Sequence, residues 1–183
     1  MRRFIWAGSY LAGGIAAGCL SAYVLIQSAG VEPVEAGTPW LSRTAALSDS
    51  GDFYVRSHYL IEGRLPPAPG QLTEATAETD SDGRPLTGSC VYRLVSTGPL
   101  PPWWSVSVIG GASVTAPLQS TAGSDTVVRQ PDGTAEIAVY PSPRPGNWLK
   151  SPTQRRFTLL YSALPRAGGG SAPAFAIRRE ACL

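Results

Sequence analysis

Two patterns of hydrophobic positions divide the chain. From Phe4 to Val31 no side chain is charged, and FIWAGSYLAGGIAAGCLSAYVLIQSAGV has no polar face. A bilayer core about 30 Å thick takes about 20 helical residues, so this run predicts one transmembrane helix. Trp6 and Tyr23 stand near its ends as interfacial aromatics. From residue 70 onward the period changes to two, in short runs separated by Gly, Pro and Asp. Cys90, Tyr92 and Leu94 share one face, as do Trp104, Val106 and Val108, and Phe157, Leu159 and Tyr161. The predicted strands lie in QLTEATAET, SCVYRLVS, WWSVSVI, TVVRQ, TAEIAVY, RFTLLYSAL and PAFAIRREACL. Seven or eight half-buried strands at this spacing predict a mainly β domain, an antiparallel β-sandwich of jelly-roll type.

Two stretches lie between these patterns. Residues 32–48, EPVEAGTPWLSRTAALS, hold prolines and acids without periodicity and read as a tether. Residues 50–62 fit either a strand or a helical face, with Asp49 or Ser50 as cap and Gly63 as stop; a short helix is the preferred reading. The expected organisation is a stub and anchor over 1–31, a tether over 32–48, and a β-sandwich over 49–183.

A cleavable signal is the alternative to an anchor, with QSAG at 27–30 as its site, but the apolar run exceeds the 7–15 residues of a signal core. Gly18-Cys19 resembles the end of a lipobox, yet LSAYVLI continues the hydrophobic run after it. Gly14 and Gly18 form a GxxxG pair that permits close helix approach. Arg2 and Arg3 precede the span and Glu32 and Glu35 follow it, which orients the N-terminus to the cytoplasm and the rest outside. For a bacterial inner membrane that places the C-terminal domain in the periplasm.

Those two arginines also account for the net charge of +2, leaving 13 basic and 13 acidic residues beyond them. The cations are scattered, unlike the one-sided footprint of a nucleic-acid binder. Outside the span only Cys90 and Cys182 remain, and an oxidising compartment favours one disulfide over two free thiols. Such a bridge closes a loop of roughly 90 residues, worth about 4–5 kcal/mol in the chain-entropy account.

Several segments together resemble a bacterial family known as domain of unknown function 1214: GDFYVRSHYLIEGRLPP, DSDGRPLTGSCVYRL, PPWWSVSV, RQPDGTAEIAVYP and RPGNWLKSP, in that order over residues 50–165. The chain is most similar to the family's short, membrane-anchored subgroup. The resemblance implies an antiparallel β-sandwich and favours the helical reading of residues 50–62. It further implies a companion envelope protein of the type called domain of unknown function 1254, and it implies no activity.

Candidate chemistry is sparse. His58 is the sole histidine, so neither a zinc site nor a Ser-His-Asp triad has enough partners, and a contact between helix and sheet is the plainer role. Glu78, Asp80 and Asp82 imitate the start of a calcium loop, but the twelfth position is Ser89, and Asp82-Gly83 reads as a turn. Glu62, Glu74 and Glu136 are the carboxylates available to a glycan hydrolase. Arg56 suits a structural carboxylate pair or an anion receptor. Of the adjacent Trp103 and Trp104, one faces the core and the other faces out. Trp148, beside Arg144 and Asn147 in a Pro/Gly-rich loop, can either plug an open end of the sandwich or contact a sugar or partner protein. The expected function is therefore binding without a cofactor, with Trp148, Asn147, Arg144, Trp103 and Arg56 as candidates and carboxylate-dependent hydrolysis as the alternative.

Overall fold

A computed structural model describes residues 2–43, 52–68, 70–109, 121–153, 155–165 and 173–182, with side chains from residue 8 onward. The apolar run forms helix α1, Arg2–Ser28. Its segment Gly8–Ser28, 21 residues, is long and apolar enough to cross a membrane or to act as a signal. No basic residue lies in the last turn of α1. Arg43 takes that place, its guanidinium donating to the carbonyls of Ile26 (3.4 Å), Gln27 (2.6 Å) and Ala29 (3.2 Å). A cation satisfying the orphan carbonyls of a helix end also opposes the negative end of its dipole.

Residues 32–43 depart from the expected tether. They form strands β1 (Glu32–Pro33) and β2 (Leu41–Ser42), which pair with each other, and β2 continues onto the sheet. The reason is Trp40, fully buried, whose indole N–H donates to the carbonyl of Phe175 at 2.7 Å. The β body thus begins at Glu32 rather than at residue 49; positions 44–48 lie outside the described residues.

Helix α2 spans Phe53–Ile61. Its cap is Asp52, accepting from the Tyr54 N–H at 2.8 Å, instead of Asp49 or Ser50, which lie outside the described residues. Gly63, at φ +67°, ends the helix as expected, and the Arg64 N–H turns back to the Tyr59 carbonyl at 2.9 Å. Val55 and Tyr59 bury their side chains against Ala29, just beyond α1.

Eight further strands follow: β3 (Thr73–Ala77), β4 (Cys90–Ser96), β5 (Trp104–Ile109), β6 (Thr121–Gly123), β7 (Glu136–Tyr140), β8 (Trp148–Lys150), β9 (Thr158–Ala163) and β10 (Phe175–Cys182). One sheet has the order β1-β2-β3-β9-β5-β6, the other β10-β4-β7-β8. A single core takes alternate residues from both, including Trp104, Val106, Leu159 and Tyr161 from the first, and Tyr92, Leu94, Ile137 and Ile177 from the second. Period-two burial in β4, β5, β7 and β9 matches the alternation in the sequence.

Two details differ from the expected antiparallel plan. β8 runs parallel to β7, so the second sheet is mixed. The intervening PSPRPGN carries the chain back along β7, and the Asn147 carbonyl accepts from the Ala138 N–H at 2.9 Å. TVVRQ is not a strand. The Thr126 hydroxyl accepts from the Gly123 N–H at 3.0 Å and turns the chain after β6.

The stretch that imitates a calcium loop crosses between the sheets, since β3 and β4 belong to different ones. Gly83, at φ +79°, supplies the left-handed residue of its turn. Asp80 is 1% exposed; its Oδ1 accepts from the N–H groups of Asp82 (3.0 Å) and Arg84 (2.9 Å). Its Oδ2 meets Arg179 Nε at 2.8 Å as a charge contact whose N–H is not aimed at the oxygen. Asp82 pairs with Arg84. Both acids serve the turn. Cys90 and Cys182 face each other across β4 and β10 and form a disulfide.

Candidate functional site

The outward positions of the second sheet build a groove. β4 contributes Val91 and Arg93, β7 contributes Glu136 and Ala138, and β10 contributes Glu180 at a bulge. Residues 128–130 and 144–147 form its walls, and its volume is about 520 Å³. That lies within the usual range of ligand sites, about 300–1,000 Å³.

Asn147 holds the two walls together. Its Oδ1 accepts from the Val128 N–H, and its Nδ2 donates to the carbonyls of Val128 and Glu136, each at 2.8 Å. The side chain replaces the ladder that TVVRQ lacks, which explains how an exposed segment keeps its place beside β7.

Charge in the groove is uneven. Arg93 bridges the sheet, with Nε to Glu180 Oε1 at 2.6 Å and Nη1 to Glu136 Oε2 at 3.1 Å. Hydrogen bonds to Glu180 and then Glu136 hold its guanidinium protonated more firmly than usual. Both carboxylates are therefore committed. Arg129 and Arg144 are exposed and make no ion pair among the described residues, although Arg144 lies over the Tyr140 ring at 4.5 Å. The groove thus presents two uncommitted guanidinium groups beside the apolar floor of Val91 and Ala138.

The structure gathers only part of the predicted set here. Arg144 and Asn147 line the groove. Trp148 adjoins them but is half-buried, its indole N–H donating to the Tyr140 carbonyl at 2.9 Å. Trp103 is 42% exposed just before β5 of the other sheet, with Trp104 in the core. Arg56 is exposed on α2 and makes no ion pair among the described residues, so the structural carboxylate pair is not found. Arg93, Arg129, Glu136 and Glu180 join the site through outward positions on separate elements. For Arg93 and Glu136, alternation against buried neighbours was the available signal; Arg129 and Glu180 lack buried neighbours, and which strands are adjacent was not legible for any of them.

A second, smaller cavity of about 100 Å³ lies between α2 and β3. Arg64 holds Glu62 at 3.1 Å and Glu74 at 2.7 Å, and His58 Nε2 meets Glu62 Oε1 at 3.3 Å. Burial dominates this cluster. It pushes the Tyr59 hydroxyl up to about 12, raises the Glu74 carboxyl against the pull of Arg64, and lowers the His58 imidazole and Arg43. A void this size admits a few waters, well short of a small-molecule site of about 300 Å³. Glu62 and Glu74 share one guanidinium, while Glu136 lies on the other sheet, so the three carboxylates do not converge on a cleft.

No curated protein sequence is significantly similar to the chain. Among solved structures, a structural-genomics target from Vibrio parahaemolyticus matches with a TM-score of 0.56 at 18% identity, and a protein from Burkholderia cenocepacia with 0.51 at 18%. Each match covers 90% of this chain but only 43% and 42% of those proteins, so the chain spans under half the length of these solved relatives. A family described as "Protein of unknown function (DUF1214)" matches residues 71–165, which run from the start of β3 past the end of β9 and make up just over half the chain, and the protein belongs to that family.

Proposed function

We propose that the protein is a membrane-anchored binding module of the bacterial cell envelope, whose outer groove receives an anionic segment of a partner protein. Residues 1–31 form a cytoplasmic stub and uncleaved span in the inner membrane, and a jelly-roll-like β-sandwich lies in the periplasm. The charge order around the span supports this orientation, and the disulfide fits an oxidising compartment. The observation that carries the reading is the pair of uncommitted arginines, Arg129 and Arg144, on a groove whose other charges are paired. Guanidinium groups recognise carboxylates in a bidentate fork, which gives orientation as well as attraction.

The solved relatives carry more than half their length beyond the matched region. A separate protein, of the companion domain-of-unknown-function 1254 type, would supply to this short chain what a longer one carries in itself. The test places a photo-crosslinking residue at Val128, which is 76% exposed on the groove wall, in the full-length membrane-bound chain. A protein adduct at this site that disappears in Arg129→Glu/Arg144→Glu is the expected result. An adduct indifferent to both substitutions, or none at all, overturns the reading.

A further inference from the structure

Helix α2 is apolar on two sides. Val55 and Tyr59 are buried against Ala29, while Phe53 (76% exposed), Leu60 (72%) and Ile61 (59%) point the other way. At 100° per residue these three fall within a sector of about 100°. A surface helix of a water-soluble domain turns a polar face outward. Here the outward face carries three large apolar side chains in a nine-residue helix.

The position of α2 indicates what covers this face. Ala29 touches the opposite side of α2 and directly follows α1, whose last carbonyls are held by Arg43. The same Arg43 lines the cavity beneath α2 with His58 and Glu62. The helix is therefore fixed level with the end of the apolar span. We propose that α2 is an interfacial helix, its Phe53, Leu60 and Ile61 face seated at the boundary of headgroups and acyl chains in the bilayer that α1 crosses. This rests on the reading of α1 as an uncleaved anchor. Arg56, exposed beside the apolar sector and without an ion pair among the described residues, reaches anionic headgroups from that depth. α2 is clamped to the first sheet through Arg64 and Glu74, whereas the groove belongs to the second. Seating α2 thus restricts how the β body tilts and leaves the groove sheet for the partner.

The experiment uses the full chain in vesicles containing anionic phospholipid, with Cys19→Ser to remove the free thiol. A nitroxide is attached at Leu60→Cys or, as a water-exposed reference, at Val128→Cys, and collisions with oxygen and with a neutral nickel chelate are compared. The expected result is an oxygen-to-nickel ratio several-fold higher at position 60 than at 128. A nickel-favoured signal at 60, in a chain that stays with the vesicles through an alkaline carbonate wash, overturns the interfacial helix and leaves the anchor intact. Release by the wash overturns both. Dipolar broadening between labels at 60 shows a second copy on the face, and it too overturns the proposal.

Discussion

Asp80 illustrates how little the type of a residue says about its use. Its carboxylate is almost wholly buried, takes two backbone N–H groups and contacts Arg179 and Arg84. Arg179 also donates to the Pro85 carbonyl at 2.6 Å and lies over the Tyr92 ring at 5.4 Å, so Asp80 joins the crossover between sheets to the last strand. Removing one member of a buried pair leaves the other charge uncompensated, which costs about 3–5 kcal/mol. Asp80→Ala should lose that much in urea unfolding. Asp82→Ala, whose carboxylate is 70% exposed, should lose under about 1 kcal/mol. Equal midpoints for the two variants would show that burial of the acid has no consequence. In the sequence the two acids are indistinguishable. Both precede the same glycine, and what separates them is the turn folded onto Asp80 together with the approach of Arg179, almost a hundred residues away.

At the scale of elements, legibility follows length and partner. Strands of five residues or more declared themselves by alternation, because one face of each meets the core. β1, β2 and β8, of two or three residues, are too short to show a period. TVVRQ shows the converse: two valines suggest a strand, but the backbone is captured by one distant asparagine amide. Helix α2 was ambiguous because it is apolar on both sides, and its sole histidine makes it testable. Burial lowers the His58 pKa from 6.5 and Arg43 and Arg64 act in the same direction, with Glu62 opposing. A folded-state value below the unfolded one means that the unfolded chain binds the proton first. This group's contribution is therefore intact above pH 6.5 and is lost as pH falls through the folded value. Ring NMR of the one histidine should give a midpoint below 6.5, and Glu62→Gln should lower it further. A midpoint at or above 6.5 would mean that α2 does not bury this ring.

The groove is a property of the whole molecule, which is why so little of it was legible. Arg144 and Asn147 were found because they are neighbours in one loop, whereas Arg93, Arg129, Glu136 and Glu180 meet only once β10, β4 and β7 are side by side. That order depends on β10, an edge strand paired with β4 alone. It contributes Phe175 and Ile177 to the core and Glu180 to the groove, and its end is tied by the disulfide from Cys182 to Cys90, 92 positions earlier. Cross-linking across so long a stretch restricts the unfolded chain, by about 4–5 kcal/mol in the chain-entropy account. Reducing the detergent-solubilised protein should lower its urea midpoint by a corresponding amount. Amide exchange should then accelerate first in residues 178–182, beyond the two core residues of β10, before β4 or β7 respond. Once that end is free, Glu180 leaves Arg93 paired with Glu136 alone and the groove loses a carboxylate, so loss of stability and a change in anion binding should appear together. An unchanged midpoint on reduction would mean that core packing of Phe175 and Ile177 alone holds the strand.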